Sequence, residues 1–562
     1  MGIGHDPALQ QFHRLRRYYH DGRAPWTRRD GAIGFLTVGP AQSPLDMTVS
    51  RSEFSELLRR RFAIELAQEA TDGLFRRQPA DSAKFLTFPV RSVHLAAMAL
   101  AAGAAFSIAP KLSVAYAILA ASVLFLAIAA TRVWLAAIAS RRAAQPSRIR
   151  LPDAALPSVT ILAPLFRESH ALPGLVQAID RLDYPKSRIE VKLLLEAGDE
   201  ETHREAMRLG LDRRFDVLIV PPSHPQTKPK ACNYGLACAR GELIVIYDAE
   251  DEPEQNQLRM AAEHFAAGDD DLACVQAKLN FYNPDETWLT RLFTLEYCLW
   301  FDHLLPALDR LGAPVPLGGT SNVFRTEVLA EIGGWDPYNV TEDADLGLRL
   351  AERGFRTAVI DSTTFEEANC RSGNWMRQRS RWMKGFMQTW IVHRSRRWSR
   401  DWRAVLSVDL FVGGAAIAAL LDLPLAAALV AEWASGVSLT AALPPALRRL
   451  TAAALVVGNL AFLALAAYAP LRRGLGRISP AALLTPVYWL MMSVAAWRAL
   501  LQLMTRPSFW EKTDHGLSFE AKSRRAAALK ELGLEQAPAS RQFEARAKDA
   551  RSHPARDEAT AE

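Results

Sequence analysis

The chain has 562 residues, 49% of them hydrophobic, and a formal net charge of +6. That length exceeds what one core can organise, so several domains are expected. The basic excess contains no Lys/Arg stripe interleaved with aromatics, which argues against nucleic acid as a partner and suits a surface near anionic lipid.

In chain order, the first 90 residues are polar and rich in Arg and lack the apolar core of a secretory signal, so this leading segment is expected to stay in the cytosol. Leu57, Leu58, Phe62 and Leu66 recur at helical spacing and predict a small helical domain over 1–90. Apolar runs at roughly 93–109 and 113–139 each approach a hydrocarbon thickness and read as a transmembrane hairpin within 91–140. Arg91 and His94 edge the first run and Arg132 lies near the end of the second, while Arg141, Arg142, Arg148 and Arg150 mark a return to the positive, cytoplasmic side.

Between 151 and about 395, short β-branched runs alternate with helical stretches, which predicts a doubly wound α/β sheet. Its first four strands are expected at 158–164, 191–195, 217–220 and 243–247. Ligands bind such sheets at the carboxyl ends of the strands, which singles out Arg167, Glu168, Glu196, Asp199 and the cluster Asp248, Glu250, Asp251. Cys232, Cys238, Cys274, Cys298 and Cys370 fall in this region without CxxC or zinc spacing, so they are expected to be reduced core residues.

Several motifs here carry chemistry, and each also has a plain structural reading. Lys228-Pro229-Lys230 opens a helical run, where a lysine and free N–H groups can hold a diphosphate; a surface lysine is the commoner explanation of any single Lys. Asp248, Glu250 and Asp251 crowd one turn, so a divalent cation or raised pKa values should accompany them, and Mg2+ or Mn2+ bridging a nucleotide diphosphate is the economical choice. Gly318-Gly319-Thr320-Ser321-Asn322 offers close backbone approach and polar donors to a hydroxyl-rich acceptor, or is a simple turn. Thr341-Glu342-Asp343 is a helix N-terminus with acids on its dipole, or it presents Asp343 as a general base. Helical spacing puts Trp375, Gln378, Arg381 and Trp382 on one face, suited to a diphosphate and a sugar ring, although a membrane-flanking helix with aromatic anchors has the same pattern.

Beyond this helix, apolar segments occupy 405–431, interrupted by Pro424, then 450–470 and 481–504. Two crossings are expected within 403–505, with 481–504 along or re-entering the cytoplasmic interface that Arg472, Arg473 and Arg477 mark; three spans are the alternative. Residues 506–535 include the stretch Trp510 to Gly516, and 536–562 have the composition of a disordered tail.

The order of these motifs over about 151–516 resembles the processive membrane-bound family 2 glycosyltransferases, the group of cellulose, hyaluronan and poly-N-acetylglucosamine synthases. That resemblance implies a cytosolic GT-A, Rossmann-like domain inserted between transmembrane helices, a nucleoside diphosphate sugar as donor, Mg2+ or Mn2+, a growing polysaccharide and a lipid bilayer as partners, and a bacterial inner-membrane location. It places Asp248 with Glu250 or Asp251 at the metal, Asp343 as general base, and Glu168, Glu196, Lys230, Asp248, Gln378 and Arg381 on the donor. Trp382, Glu342 and Gly319 fall on the acceptor side, and the Trp510 to Gly516 stretch is similar to a gating loop. The leading segment resembles the amino-terminal domain of type II secretion ATPases, which implies cyclic di-GMP or a regulatory protein as a partner; a docking or purely structural module is the alternative. Competing functions are single transfer to a lipid carrier and a catalytically silent nucleotide-binding scaffold.

Overall fold

The computed structural model describes residues 7–27, 33–87, 100, 103–104, 106–140, 150–394 and 401–532. The amino-terminal module begins with α1 (Pro7–Asp21) and three short strands, β1 (Arg23–Thr27), β2 (Ile33–Thr37) and β3 (Met47–Thr48). Then come α2 (Arg51–Arg61), which starts in a capping box of Ser50 with Glu53, and α3 (Ala63–Arg77). The helices stand where the Leu57 to Leu66 spacing placed them, but the expectation of a purely helical module is corrected by the sheet. Its strands are two to five residues long and β1 contains Pro25, so they leave no alternating pattern to read.

The central sheet has eight strands: β4 (Val159–Leu165), β5 (Ile189–Glu196), β6 (Phe215–Val220), β7 (Leu243–Ile246), β8 (Glu252–Pro253), β9 (Leu272–Phe281), β10 (Asn322–Arg325) and β11 (Arg356–Glu366). Their spatial order is β6-β5-β4-β7-β10-β9-β11-β8. β6, β5, β4 and β7 run parallel, β10 runs against both its neighbours, and β11 lies parallel to β9. Parallel strands must be covered on both faces. Leu162, Leu194, Leu218 and Ile244 join one core, and the alternating Ile161, Ala163, Leu193 and Val245 join another. The expected α/β class is therefore the observed one, as a mixed sheet. Strand order reverses between β4 and β7, and the crevice at that switch point is where ligands enter such sheets.

Helices used below are α4 (Pro110–Ser140), α5 (Lys228–Cys238), α6 (Trp288–Leu299), α7 (Thr326–Glu331), α8 (Glu342–Glu352), α9 (Ser372–Arg394), α10 (Gly414–Ser435), α11 (Pro445–Tyr468) and α12 (Thr485–Thr505). Among the described residues, four helical segments, 110–140, 402–435, 445–473 and 476–505, are long and apolar enough to cross a membrane. The predicted first limb of the hairpin, 93–109, and the 536–562 tail lie wholly or largely outside the described residues.

Pro424 lacks an N–H, which frees the carbonyl of Leu420; Trp497 of α12 donates its indole N–H to that carbonyl at 3.1 Å. One residue earlier, the Leu423 N–H donates to Ser493 Oγ at 3.1 Å, so α10 and α12 are joined at this break. α12 also runs beside α9. Trp375 and Arg379 donate to the Tyr488 hydroxyl at 3.3 and 2.8 Å, and Arg498 donates to Ser380 Oγ at 3.3 Å.

Candidate active site

A cavity of about 1060 Å3 opens at the carboxyl ends of β4, β5 and β7 and continues between the membrane-type helices, past Ile128, Ala418, Asp422 and Phe462. Glu168, Glu196, Asp248, Glu250, Gly319, Glu342, Asp343, Gln378, Arg381 and Trp382 all line it, so ten sequence candidates meet in one space.

At the acid turn, Asp248 is bound by Lys228, whose ammonium lies 2.5 and 2.6 Å from the two carboxylate oxygens and donates to Gly319 O at 2.7 Å. Glu250 pairs with His515 at 2.7 Å. Burial raises the Asp248 carboxyl above the ordinary range, partly offset by Lys228. Burial likewise disfavours the Glu250 carboxylate, but the His515 charge and hydrogen bond more than offset it and hold Glu250 below the ordinary range.

Asp251 is corrected as a metal candidate. It is 1% exposed and does not line the cavity; its carboxylate accepts the Asp248 N–H at 2.7 Å and the Thr320 hydroxyl, fixing the turn. Among the described residues, no three His, Cys, Asp or Glu side chains converge to hold an ion by themselves. Asp248 and Glu250 still fit a magnesium- or manganese-type ion, which takes only one or two carboxylates from protein when diphosphate oxygens complete its shell.

Lys230 is corrected too. It is 1% exposed, lies outside the cavity lining, and holds Glu196 at 2.8 Å while donating to Pro221 O at 3.2 Å. Lys228, two residues earlier, is the lysine that faces the cavity. Asp199 likewise serves the backbone, accepting from Thr202 N at 3.2 Å and from Arg167 N.

Asp343 sits in the first turn of α8, and one of its oxygens accepts the Ala344 N–H at 2.8 Å. Burial raises its carboxyl above the ordinary range, and burial together with Asp343 pushes neighbouring Glu342 up to about 8. A methyl group added at Gly319 would stand 3.4 Å from Asp343 Oδ2, so the glycine turn brings bare backbone beside this carboxylate. Thr341 occupies the N-cap position but makes no capping hydrogen bond.

α9 presents Arg381, whose guanidinium donates to Val340 O at 3.4 Å and stacks 4.3 Å from the centroid of Trp510. Trp382 stacks on Tyr297 with 6.3 Å between centroids, and the buried Arg379 guanidinium lies 4.4 Å from it. Arg379 is fixed by two hydrogen bonds to Glu296, at 2.9 and 2.6 Å. Gln378 Oε1 accepts from Asn369 at 2.8 Å. Trp375 is corrected: it is fully buried against Tyr488 and outside the cavity lining, because α12 covers that side of the helix.

The sequence reading missed Lys228 as the facing lysine and the roles of Lys512 and His515. Lys512 pairs with Glu168 at 3.0 Å and also donates to the carbonyls of Phe166 and Arg167. Together with Trp510 on Arg381, these contacts hold the 510–515 segment against the cavity, where Trp510, Lys512, Thr513 and His515 form part of the wall. Basic residues in a stretch already singled out were the available signal.

Residues 243–505 match the family model described as glycosyl transferase family group 2. This part of the chain is similar to family 2 glycosyltransferases. Over 236 residues the chain is 26% identical to "Probable glycosyltransferase YdaM" of Bacillus subtilis (strain 168), covering 41% of this chain and 55% of that protein. The chain thus spans about half the length of this curated relative. Among solved structures, a mannosyltransferase from Pyrobaculum calidifontis in complex with GDP-mannose and Mn2+ aligns at TM-score 0.45 and 18% identity, over 69% of this chain and 99% of that one. Glucosyl-3-phosphoglycerate synthase from Mycobacterium tuberculosis, solved with Mn2+, UDP and phosphoglyceric acid, aligns at TM-score 0.29 and 13% identity, over 42% of this chain and 80% of that one.

Proposed function

We propose that the protein is an inverting glycosyltransferase that uses a nucleoside diphosphate sugar, a UDP-hexose in this reading, to elongate a β-linked polysaccharide and export it through its own helices. The observation that carries this reading is the continuity of the cavity, which runs from the acid turn past Asp343 and Trp382 into the helix bundle. In this reading Glu168 and Glu196 receive the nucleotide base, Arg381 and Lys228 the diphosphate, and Trp382, Gly319 and Glu342 the acceptor sugar.

Asp343 takes the proton of the acceptor hydroxyl, the oxygen attacks the anomeric carbon from the face opposite the leaving group, and the nucleoside diphosphate departs. Arg381 and Lys228 offset the charge that accumulates on it. A divalent ion, held by Asp248 and Glu250, supplies further neutralisation of the diphosphate when bound. Trp382, packed against Tyr297 and Arg379, is held well enough to orient a sugar ring for attack.

The same reading sets the chain in a bacterial inner membrane with the sheet domain on the cytoplasmic side. α12 lies along the interface, because both its Tyr488 and its Arg498 touch α9, whose far end is bound into the sheet domain by His393 pairing with Asp345 and Glu352. The amino-terminal module is where cyclic di-GMP or a regulatory protein would act.

Inverted membrane vesicles given a panel of labelled UDP-sugars with Mg2+ or Mn2+, followed by product sizing, test the proposal. A long polymer retained inside the vesicles is the expected product. A product one sugar longer than a lipid carrier would replace polymerisation with single transfer.

A further inference from the structure

The loop from 333 to 341, between α7 and α8, delivers Thr341-Glu342-Asp343 to the cavity, and its Tyr338 and Val340 are themselves part of the wall. Its opposite side is held by the amino-terminal module. The Tyr338 hydroxyl donates to Asp72 Oδ1 at 2.7 Å, and Lys84, also bonded to Asp72 at 2.6 Å, lies 4.8 Å from the Tyr338 ring centroid. Asp336 accepts from Ser82 Oγ at 2.9 Å, from Ala83 N at 2.6 Å and from Tyr338 N at 3.1 Å. Gly333 has φ +92°, and a methyl added there would come within 2.8 Å of the Leu74 Cδ1 and 3.8 Å of its Cα, so the loop packs directly on α3.

A second loop is held in the same way. Residues 224–228 line the donor end of the cavity, and Gln226 donates to Glu196 at 3.2 Å. Directly before them, Ser223 hydrogen-bonds Thr71 of α3 at 3.0 Å. Asn233 of α5 donates to Ala70 O at 3.1 Å and to Trp335 O at 2.8 Å, and Thr227 donates to Pro337 O at 3.1 Å, which ties both loops and α3 into one unit.

We propose that residues 70–84 are a built-in brace of the active site, and that Thr71, Asp72 and Ser82 are positioning residues acting through Ser223, Tyr338 and Asp336 on the donor-end loop and the loop that carries Asp343. Hydrogen bonds from one element to two separate segments, the Ser82 bond buried and the Thr71 and Asp72 bonds partly buried, fix their relative placement, and loops lacking such support sample more conformations. The module therefore contributes to substrate geometry without touching the substrate. This rests on the donor-site reading given under the proposed function.

The test uses the full chain in lipid nanodiscs, with UDP and GDP as separate calorimetric titrants in the presence of MnCl2. Asp72→Ala and Thr71→Val should each weaken binding of the nucleotide that the unaltered chain takes up by about fivefold, the range expected for one lost hydrogen bond. Asp72→Asn, which keeps a carbonyl acceptor for the Tyr338 hydroxyl, should restore most of the affinity. Tyr338→Phe should add nothing to Asp72→Ala, because both remove the same bond. Arg59→Ala is the control: Arg59 anchors the same module to Asp216 at 3.3 Å and neither residue lines the cavity, so nucleotide affinity should not change. Unaltered affinity in Asp72→Ala and Thr71→Val, or an equal loss in Arg59→Ala, overturns the brace while leaving the donor site standing. Failure of the unaltered chain to bind either nucleotide overturns both.

Discussion

At the residue scale, the two lysines of the Lys228-Pro229-Lys230 turn show what decides a role. Positions two apart on a helix point about 200° from each other, so only one can face a given cavity, and here it is Lys228. Removing its charge with Lys228→Met is expected to lower kcat by about 10² to 10³-fold, the usual loss for one donor to a developing anion. Lys230→Met should chiefly raise KM for the donor, through release of Glu196. Steady-state kinetics on the two variants separates these outcomes.

Asp343→Asn should reduce transfer by about 10² to 10⁴-fold while leaving nucleotide binding in place, as measured by calorimetry beside a turnover assay. Its pH dependence follows from burial. A base is inactive while it holds its own proton, and the Asp343 carboxyl is raised, so kcat should fall as pH drops through that raised value. A rate that stays flat with pH well into the acid range would assign the base elsewhere. That Asp248, Glu250, Asp343, Arg381 and Trp382 share one cavity could be anticipated because their motifs are local. The sequence could not separate Lys228 from Lys230, or remove Asp251 and Trp375, because those distinctions depend on which side of a turn or helix another element covers.

At the element scale, Pro424 was readable only as an interruption of an apolar run. Its partner was not, since Trp497 lies 73 residues away in the chain. Trp497→Phe leaves the Leu420 carbonyl without that donor and should destabilise the bundle by about 1 kcal/mol, measured by thermal unfolding in detergent. Pro424→Ala in the same background supplies a backbone N–H for the carbonyl and should recover most of that loss; strict additivity of the two substitutions would refute the explanation. The three-stranded amino-terminal sheet was invisible for the opposite reason. Its strands are too short to carry a period, and they are stabilised by α1 and by the helices that follow rather than by their own propensity.

At the scale of the whole molecule, the alternating cores of the sheet domain and the apolar lengths of the helices were both written in hydropathy, so the α/β class and the membrane-type segments could be read directly. Their junction could not. The cavity lies at the switch point beyond the paired ends of β4 and β7, and its wall takes in residues of α9 and of the 510–515 segment, a convergence of parts from four distant stretches of chain. The central claim is that this convergence neutralises a departing nucleoside diphosphate while a carboxylate primes the incoming hydroxyl.

The most direct measurement is release of free UDP or GDP by the purified chain in nanodiscs, supplied with a panel of UDP- and GDP-sugars and Mg2+ or Mn2+. Release from at least one donor is expected, abolished by EDTA, restored by the divalent ion, and lost in Asp343→Asn. Absence of diphosphate release from every donor, or release that persists undiminished in Asp343→Asn, would contradict it.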